Sequence, residues 1–195
     1  MALEQVAREG LVLLGCGKMG SALLAGWLGA GLPATSVWVI EPNPTDWLKG
    51  LGVHLNEGVP PAPAVALLAV KPQMMGAALP ALQALGNGRT LVVSIAAGTS
   101  IAAFEQVFGN RTPIVRTMPN TPAMVGRGIT GICYDYGPDP RIFRKLHLHT
   151  FFPEYQRKQR YIQRSFSRQP YSYHYGEQFR LQHHTYLYSC FLSGS

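Results

Sequence analysis

Short runs of consecutive apolar residues alternate with longer helix-type stretches through the first two thirds of the chain. Residues 11–14 read Leu-Val-Leu-Leu, a run of strand length that ends in glycines. Residues 18–30 are rich in Ala, Leu and Met and close at Gly31 with Pro33 beyond, which predicts a helix with a defined stop. Residues 37–40 form a second strand run, and residues 45–49 a short helical turn followed by Gly50 and Gly52. Residues 65–70 make a third, buried strand halted by Lys71 and Pro72. Residues 73–85 read as a helix, 91–95 as a strand, 100–108 as a helix and 114–118 as a strand. Near-continuous apolar strands separated by helices predict a parallel sheet covered on both faces. With right-handed crossovers the simplest fold class is α/β, a doubly wound Rossmann-type sheet. No internal repeat interrupts the pattern.

The pattern stops near residue 139. Residues 1–138 contain 19 Ala; residues 139–195 contain no Ala and no Val, but hold 7 of the 9 Tyr, 6 of the 8 Phe and 5 of the 6 His. No sustained helical or strand period is legible there. The expected organisation is a dinucleotide-binding domain over 1–138 and an atypical basic, aromatic tail over 139–195, disordered or poorly packed. The charge divides the same way. The formal net charge of +7 is almost all in the tail, +1 over 1–138 and +6 over 139–195, so it says little about the partners of the first domain.

Several function classes recede on these grounds. Basic residues mixed with Tyr, Phe and His could line a single-stranded nucleic-acid surface, but no recognised module accompanies them, so no nucleic-acid partner is expected. His147, His149, His183 and His184 have neither the spacing nor the partners of a metal site, and no metal is expected. Cys16, Cys133 and Cys190 are far apart and odd in number, which fits a reducing, cytoplasmic setting. Glu4, Arg8 and Glu9 precede any apolar run, unlike a signal peptide, and no apolar stretch is long enough for a membrane span.

The chemistry concentrates where strands end. Gly15, Cys16, Gly17, Lys18, Met19 and Gly20 fit G-x-G-x-x-G between a strand and a helix. In that context Gly15 permits the tight turn, Gly17 lets the backbone approach a pyrophosphate, and Gly20 lets the helix pack on the strand. The helix start offers unpaired N–H groups to the phosphates. An ordinary strand–helix turn is the competing explanation. Glu41 stands at the end of the second strand, 21 residues after Gly20, where a carboxylate meets the ribose 2′-hydroxyl and repels a 2′-phosphate. It leans the cofactor toward NAD over NADP, and Asn43 and Thr45 close behind could soften that preference.

Three later strand ends carry distinctive segments. Ala69, Val70, Lys71, Pro72 and Gln73 follow the third buried strand; Ser94, Ile95, Ala96, Ala97 and Gly98 follow the next; the last carries the segment Val115, Arg116, Thr117, Met118, Pro119, Asn120, Thr121, Pro122 and Ala123. Small residues there would let a nicotinamide and its ribose lie against the backbone, and the Asn120 amide can donate and accept at once. These segments, in this order after the glycine turn and continued by Val125, Gly126 and Gly128, resemble pyrroline-5-carboxylate reductases over about residues 10–135. Another imine or hydroxyacid reductase with a related cofactor domain remains the alternative.

The resemblance implies an NAD(P)H-dependent enzyme that reduces 1-pyrroline-5-carboxylate, a small imine, to L-proline in the last step of proline biosynthesis. It implies that Gly15, Cys16, Gly17, Lys18, Met19 and Gly20 hold the pyrophosphate and that Glu41 sits near the adenosine ribose. Ala69, Val70, Lys71 and Pro72, with Ala96, Ala97 and Gly98, would line the cofactor groove, and Met118, Pro119 and Asn120 would contact the nicotinamide side. Lys71 is thereby a cofactor-loop residue, with direct proton transfer as the competing reading. The family's helical substrate and dimerisation domain carries a Ser-Gly-Ser-Gly-Pro-Ala and a Gly-Gly-Thr-Thr segment. Neither is present in this sequence, and the tail does not match the family. Catalytic residues therefore stay unassigned. The family's homo-oligomeric interface is missing, and a frame change near codon 139 would account for the break. The other reading is a non-catalytic dinucleotide-binding fragment of such an enzyme.

Overall fold

The computed structural model describes residues 2–119 together with the backbone of strands at 130–134 and 186–188. Five α-helices and eight β-strands lie among these residues. They run α1 (Ala2–Glu9), β1 (Leu11–Leu14), α2 (Lys18–Gly29), β2 (Val37–Ile40), α3 (Asp46–Lys49), β3 (His54–Leu55), β4 (Val65–Leu68), α4 (Met75–Ala78), β5 (Leu91–Ser94), α5 (Ile101–Phe108), β6 (Ile114–Pro119), β7 (Thr130–Tyr134) and β8 (Tyr186–Tyr188).

The sheet order is β3-β2-β1-β4-β5-β6-β7-β8. The first six strands are mutually parallel, the arrangement expected of a Rossmann-type α/β fold. The order grows one way from β1 through β2 to β3 and the other way from β4 to β6. The topological switch point therefore falls between β1 and β4, whose registers run Leu11↔Val65 to Leu14↔Leu68. Two antiparallel strands close the far edge, β7 on β6 and β8 on β7. The sequence pattern did not predict these, and β8 comes from within the tail segment.

Strands buried on both faces explain the continuous apolar runs. Leu11, Leu13, Val37, Val39, Val65, Leu67, Leu91, Val93 and Val115 form one core with Leu23, Leu24 and Trp27 of α2. Val12, Leu14, Ala66, Leu68, Val92 and Ile114 face the other way, against Met75, Leu79, Leu82, Leu85, Phe104 and Phe108. Trp27 at 2% exposure anchors the first layer, and Phe104 and Phe108, at 0% and 2%, anchor the second.

Three departures from the predicted elements have physical reasons. The stretch expected as one helix over 73–85 is a 3-10 turn at Pro72–Met74, a single α-turn at Met75–Ala78 and a 3-10 segment at Leu79–Leu85. Pro80 removes a backbone donor inside it, and its ring crowds the preceding turn. An N-terminal helix, α1, buries Val6 at 0% exposure, and the Ser36 hydroxyl donates to its Ala7 carbonyl at 2.7 Å. The third parallel strand, β3, has only two residues and too little apolar character to announce itself.

Candidate cofactor site

Four loops meet at the carboxyl ends of the parallel strands, and the glycine turn is their centre. Gly15 has φ +88°, and its N–H donates to the Ile40 carbonyl at 2.9 Å. A Cβ there would stand 2.8 Å from Val70 Cγ1 and 2.9 Å from the Val70 nitrogen. Gly15 is therefore the residue that lets the turn close against the Ala69–Val70 segment, across the switch point. The Ala69 N–H donates to the Leu14 carbonyl at 2.7 Å and holds that segment in place.

Gly20 is bound by packing within the turn. A Cβ on it would lie 2.6 Å from the Gly15 carbonyl oxygen, well inside contact distance. Gly17 differs from both: a Cβ on it would meet nothing within 4 Å. No packing inside the protein requires glycine at 17, and the residue is exposed. It is also the N-cap of α2, where no side chain caps the helix, and the first bond runs from the Ser21 N–H to the Gly17 carbonyl at 2.8 Å. The first-turn N–H groups of this twelve-residue helix open into the same space. Lys18 is exposed and Met19 half-buried beside them.

Glu41 reaches from the end of β2 into this turn. Its Oε2 accepts from the Cys16 N–H at 2.8 Å and its Oε1 from the Asn43 N–H at 3.0 Å. An ionised carboxylate has about four lone-pair sites, so roughly two remain open after these bonds. The Cys16 thiol is 6% exposed; burial, with the Glu41 charge adding to it, pushes it up to about 11 from its ordinary 9.0. Cys16 thus contributes its backbone N–H and a neutral side chain.

The remaining loops supply a shallow, small-residue wall. Ala69 and Val70 are half-buried, Lys71 and Pro72 exposed, and among the described residues Lys71 has no ion-pair partner. The Ser94 hydroxyl accepts from the Ala96 N–H at 3.2 Å, folding the loop so that Ala96 is buried while Ala97 and Gly98 are exposed. On β6, Thr117 donates to the Ser94 carbonyl at 3.4 Å, and Met118 is 46% exposed at the strand end beside Pro119. The Arg116 Nε is buried without a hydrogen-bond partner. Asn120 lies outside the described residues, as do 121–129, the five tail histidines and Cys190. One contributor escaped the sequence reading: Asn56, whose side chain brackets the Glu41 backbone from β3. It lies 15 residues beyond Glu41, and nothing in its neighbourhood resembles a binding motif.

Comparison with known proteins finds relatives and structural neighbours named as reductases. The family model described as "NADP oxidoreductase coenzyme F420-dependent" matches residues 10–98. The chain is 36% identical over 133 residues to pyrroline-5-carboxylate reductase of Pasteurella multocida, covering 64% of this chain and 48% of the relative. Against the Escherichia coli enzyme of that name it is 37% identical over 128 residues, 61% of this chain and 47% of the relative. The pyrroline-5-carboxylate reductase structure from Coxiella burnetii superimposes with a TM-score of 0.65 at 26% identity, covering 74% of this chain and 56% of that one. The Plasmodium falciparum pyrroline carboxylate reductase with NADP bound shares the fold, with a TM-score of 0.63 at 24% identity over 75% of this chain and 55% of that one. The N-terminal part of this chain is thus similar to pyrroline-5-carboxylate reductases. The chain spans about half the length of the curated relatives it matches.

Proposed function

We propose that this chain carries the cofactor half of a pyrroline-5-carboxylate reductase and binds NAD(P)H across the β1/β4 switch point. The observation that carries the reading is the contrast within the glycine turn. Gly15 and Gly20 are glycines for the protein's own packing, whereas the space over Gly17 is left open beside uncapped helix N–H groups. A pyrophosphate fits that cradle, where a Cβ would intrude and where the helix end favours negative charge.

In this reading the exposed first turn of α2 holds the pyrophosphate, with Lys18 alongside. Glu41 faces the adenosine ribose, with lone pairs left for a hydroxyl donor and a charge that opposes a 2′-phosphate, so NADH is the favoured form. Ala69, Val70, Lys71 and Pro72 form one wall of the groove, and Ala96, Ala97 and Gly98 the other. Met118 and Pro119, followed by Asn120, border the nicotinamide end. The bound dinucleotide supplies a hydride to the C=N carbon of 1-pyrroline-5-carboxylate, and with a proton on the nitrogen the product is L-proline. The chain's part is orientation of the cofactor and exclusion of water. A cytoplasmic setting accompanies this reading, from the cysteine usage.

The second reading is a dinucleotide-binding fragment without turnover. It is favoured by where similarity stops, at about half of each relative, and by the lack of the Ser-Gly-Ser-Gly-Pro-Ala and Gly-Gly-Thr-Thr segments in this sequence. Adding pyrroline-5-carboxylate to the chain saturated with NADH, and separately with NADPH, distinguishes the two. Loss of nicotinamide absorbance with proline formed in equal amount supports the reductase. Binding of dinucleotide without oxidation supports the fragment.

A further inference from the structure

Asn56 has φ +57°, the one non-glycine residue with positive φ among the described residues. Asn tolerates this conformation better than most residues, yet it still marks a position where something is gained. The gain is visible in the hydrogen bonds. The Asn56 N–H donates to the Val39 carbonyl at 2.8 Å, continuing the parallel β2–β3 ladder past its Trp38↔His54 and Val39↔Leu55 pairs. The backbone then turns away, and the side chain takes over. Asn56 Oδ1 accepts from the Glu41 N–H at 2.9 Å, and Asn56 Nδ2 donates to the Glu41 carbonyl at 2.9 Å. One side-chain amide thus satisfies both backbone groups of Glu41, as a neighbouring strand residue would. The task requires a donor and an acceptor on one short planar group, which Asp, Ser or Leu does not offer.

The consequence falls on the Glu41 side chain. With its backbone clamped on the β3 side, Glu41 delivers its carboxylate to the Cys16 and Asn43 N–H groups. The neighbouring polar groups are already engaged: His54 Nδ1 lies 3.1 Å from Glu57 Oε2, and its Nε2 lies 3.0 Å from the Thr35 carbonyl. Asn56 is therefore the contact that fixes where Glu41 begins its reach toward the glycine turn.

The geometry points to Asn56 as a positioning residue that sets dinucleotide preference through its hold on Glu41. This rests on the proposed cofactor reading. A held carboxylate accepts from a ribose hydroxyl at fixed geometry and meets a 2′-phosphate at close range. A released one turns aside and discriminates less. A merely structural role would weaken NADH and NADPH alike or lower stability alone.

The test is a double-mutant cycle on the full chain, with NADH and NADPH dissociation constants and thermal midpoints for wild type, Asn56→Gly, Glu41→Ala and the double variant. Glycine keeps the positive φ free of strain while deleting the amide. The expected result is a fall of about fivefold in the NADH-over-NADPH preference for Asn56→Gly, and a further change below about twofold in the Glu41→Ala background. Should Asn56→Gly not fold, Asn56→Ser, with a single hydroxyl too short to bracket both Glu41 groups, serves in its place. An unchanged preference, or the same shift in both backgrounds, overturns the positioning role while leaving cofactor binding intact. A wild-type chain that binds neither dinucleotide overturns the cofactor reading, and the role of Asn56 with it.

Discussion

The carboxylate of Glu41 accepts a 2.8 Å hydrogen bond from the backbone N–H of Cys16, tying the end of β2 to the middle of the glycine turn. This bond joins the two features that would read opposite ends of an adenosine diphosphate: the turn that would cradle phosphate and the side chain that would face ribose. It crosses from β2 to the loop after β1, so the parallel pairing of those strands sets its length.

Replacing Glu41 by Gln removes the charge and confronts one of the two N–H groups with an amide donor. The expected cost is about 1 kcal/mol, because the site is only half-buried and water can compensate. NADPH affinity is expected to rise relative to NADH. Thermal unfolding and paired titrations check the two effects separately.

The turn glycines are expected to differ sharply in what they tolerate. Gly20→Ala drives a Cβ against the Gly15 carbonyl, a backbone atom with little freedom to yield. A loss of about 2–3 kcal/mol is expected. Gly17→Ala meets nothing and is expected to leave the denaturation midpoint within about 0.5 kcal/mol of wild type. Urea unfolding of the two variants side by side tests the contrast.

The Cys16 thiol gives a pH dependence. Its proton is held more tightly in the folded chain than in the unfolded one, up to about 11 against 9.0. Its contribution to stability is therefore complete below about pH 9 and is lost as pH rises through about 11. Cys16→Ser, which does not ionise in this range, is expected to lose less stability than wild type between pH 9 and 11. In the wild type, alkylation mapped to the Cys16 peptide is expected to be slow at pH 8 and fast in urea. Rapid native labelling at that peptide would contradict the burial.

Lys71 separates a cofactor-loop role from a catalytic one. It is exposed and has no ion-pair partner among the described residues, so Lys71→Met is expected to leave stability unchanged. Dinucleotide affinity is expected to drop by at most about fivefold, with a weaker dependence on salt. Should the chain turn over, its pH–rate profile is expected to keep its shape; a lost limb in the variant would make Lys71 a proton donor instead.

The parts of the fold that were legible in the sequence are those buried on both faces. β1, β2, β4 and β5 announce themselves as apolar runs because the layers on either side favour apolar residues; β6 begins as one at Ile114 and Val115 and continues through Arg116 and Thr117. β3 was not legible, since two residues, His54 and Leu55, pair by backbone and carry no run. β7 and β8 escaped for a different reason: their antiparallel pairing on β6 follows from no local pattern. The helix expected over 73–85 failed at Pro80, whose missing donor outweighed the favourable Ala and Leu around it. In the site, Gly15 and Gly20 were readable from spacing, and Glu41 from its distance along the chain. The bonds that organise them were not. Asn56 acts across strands, through a side chain standing in for backbone, and spacing carries no trace of that.

The most direct measurement is the titration of wild type and Gly17→Val with NADH and with NADPH, followed by nicotinamide fluorescence, with circular dichroism confirming that both fold. The expected result is saturable binding by wild type, tighter for NADH, and its loss in Gly17→Val at unchanged secondary structure. Wild type that binds neither dinucleotide, or Gly17→Val that binds as wild type does, would contradict a pyrophosphate seated over Gly17.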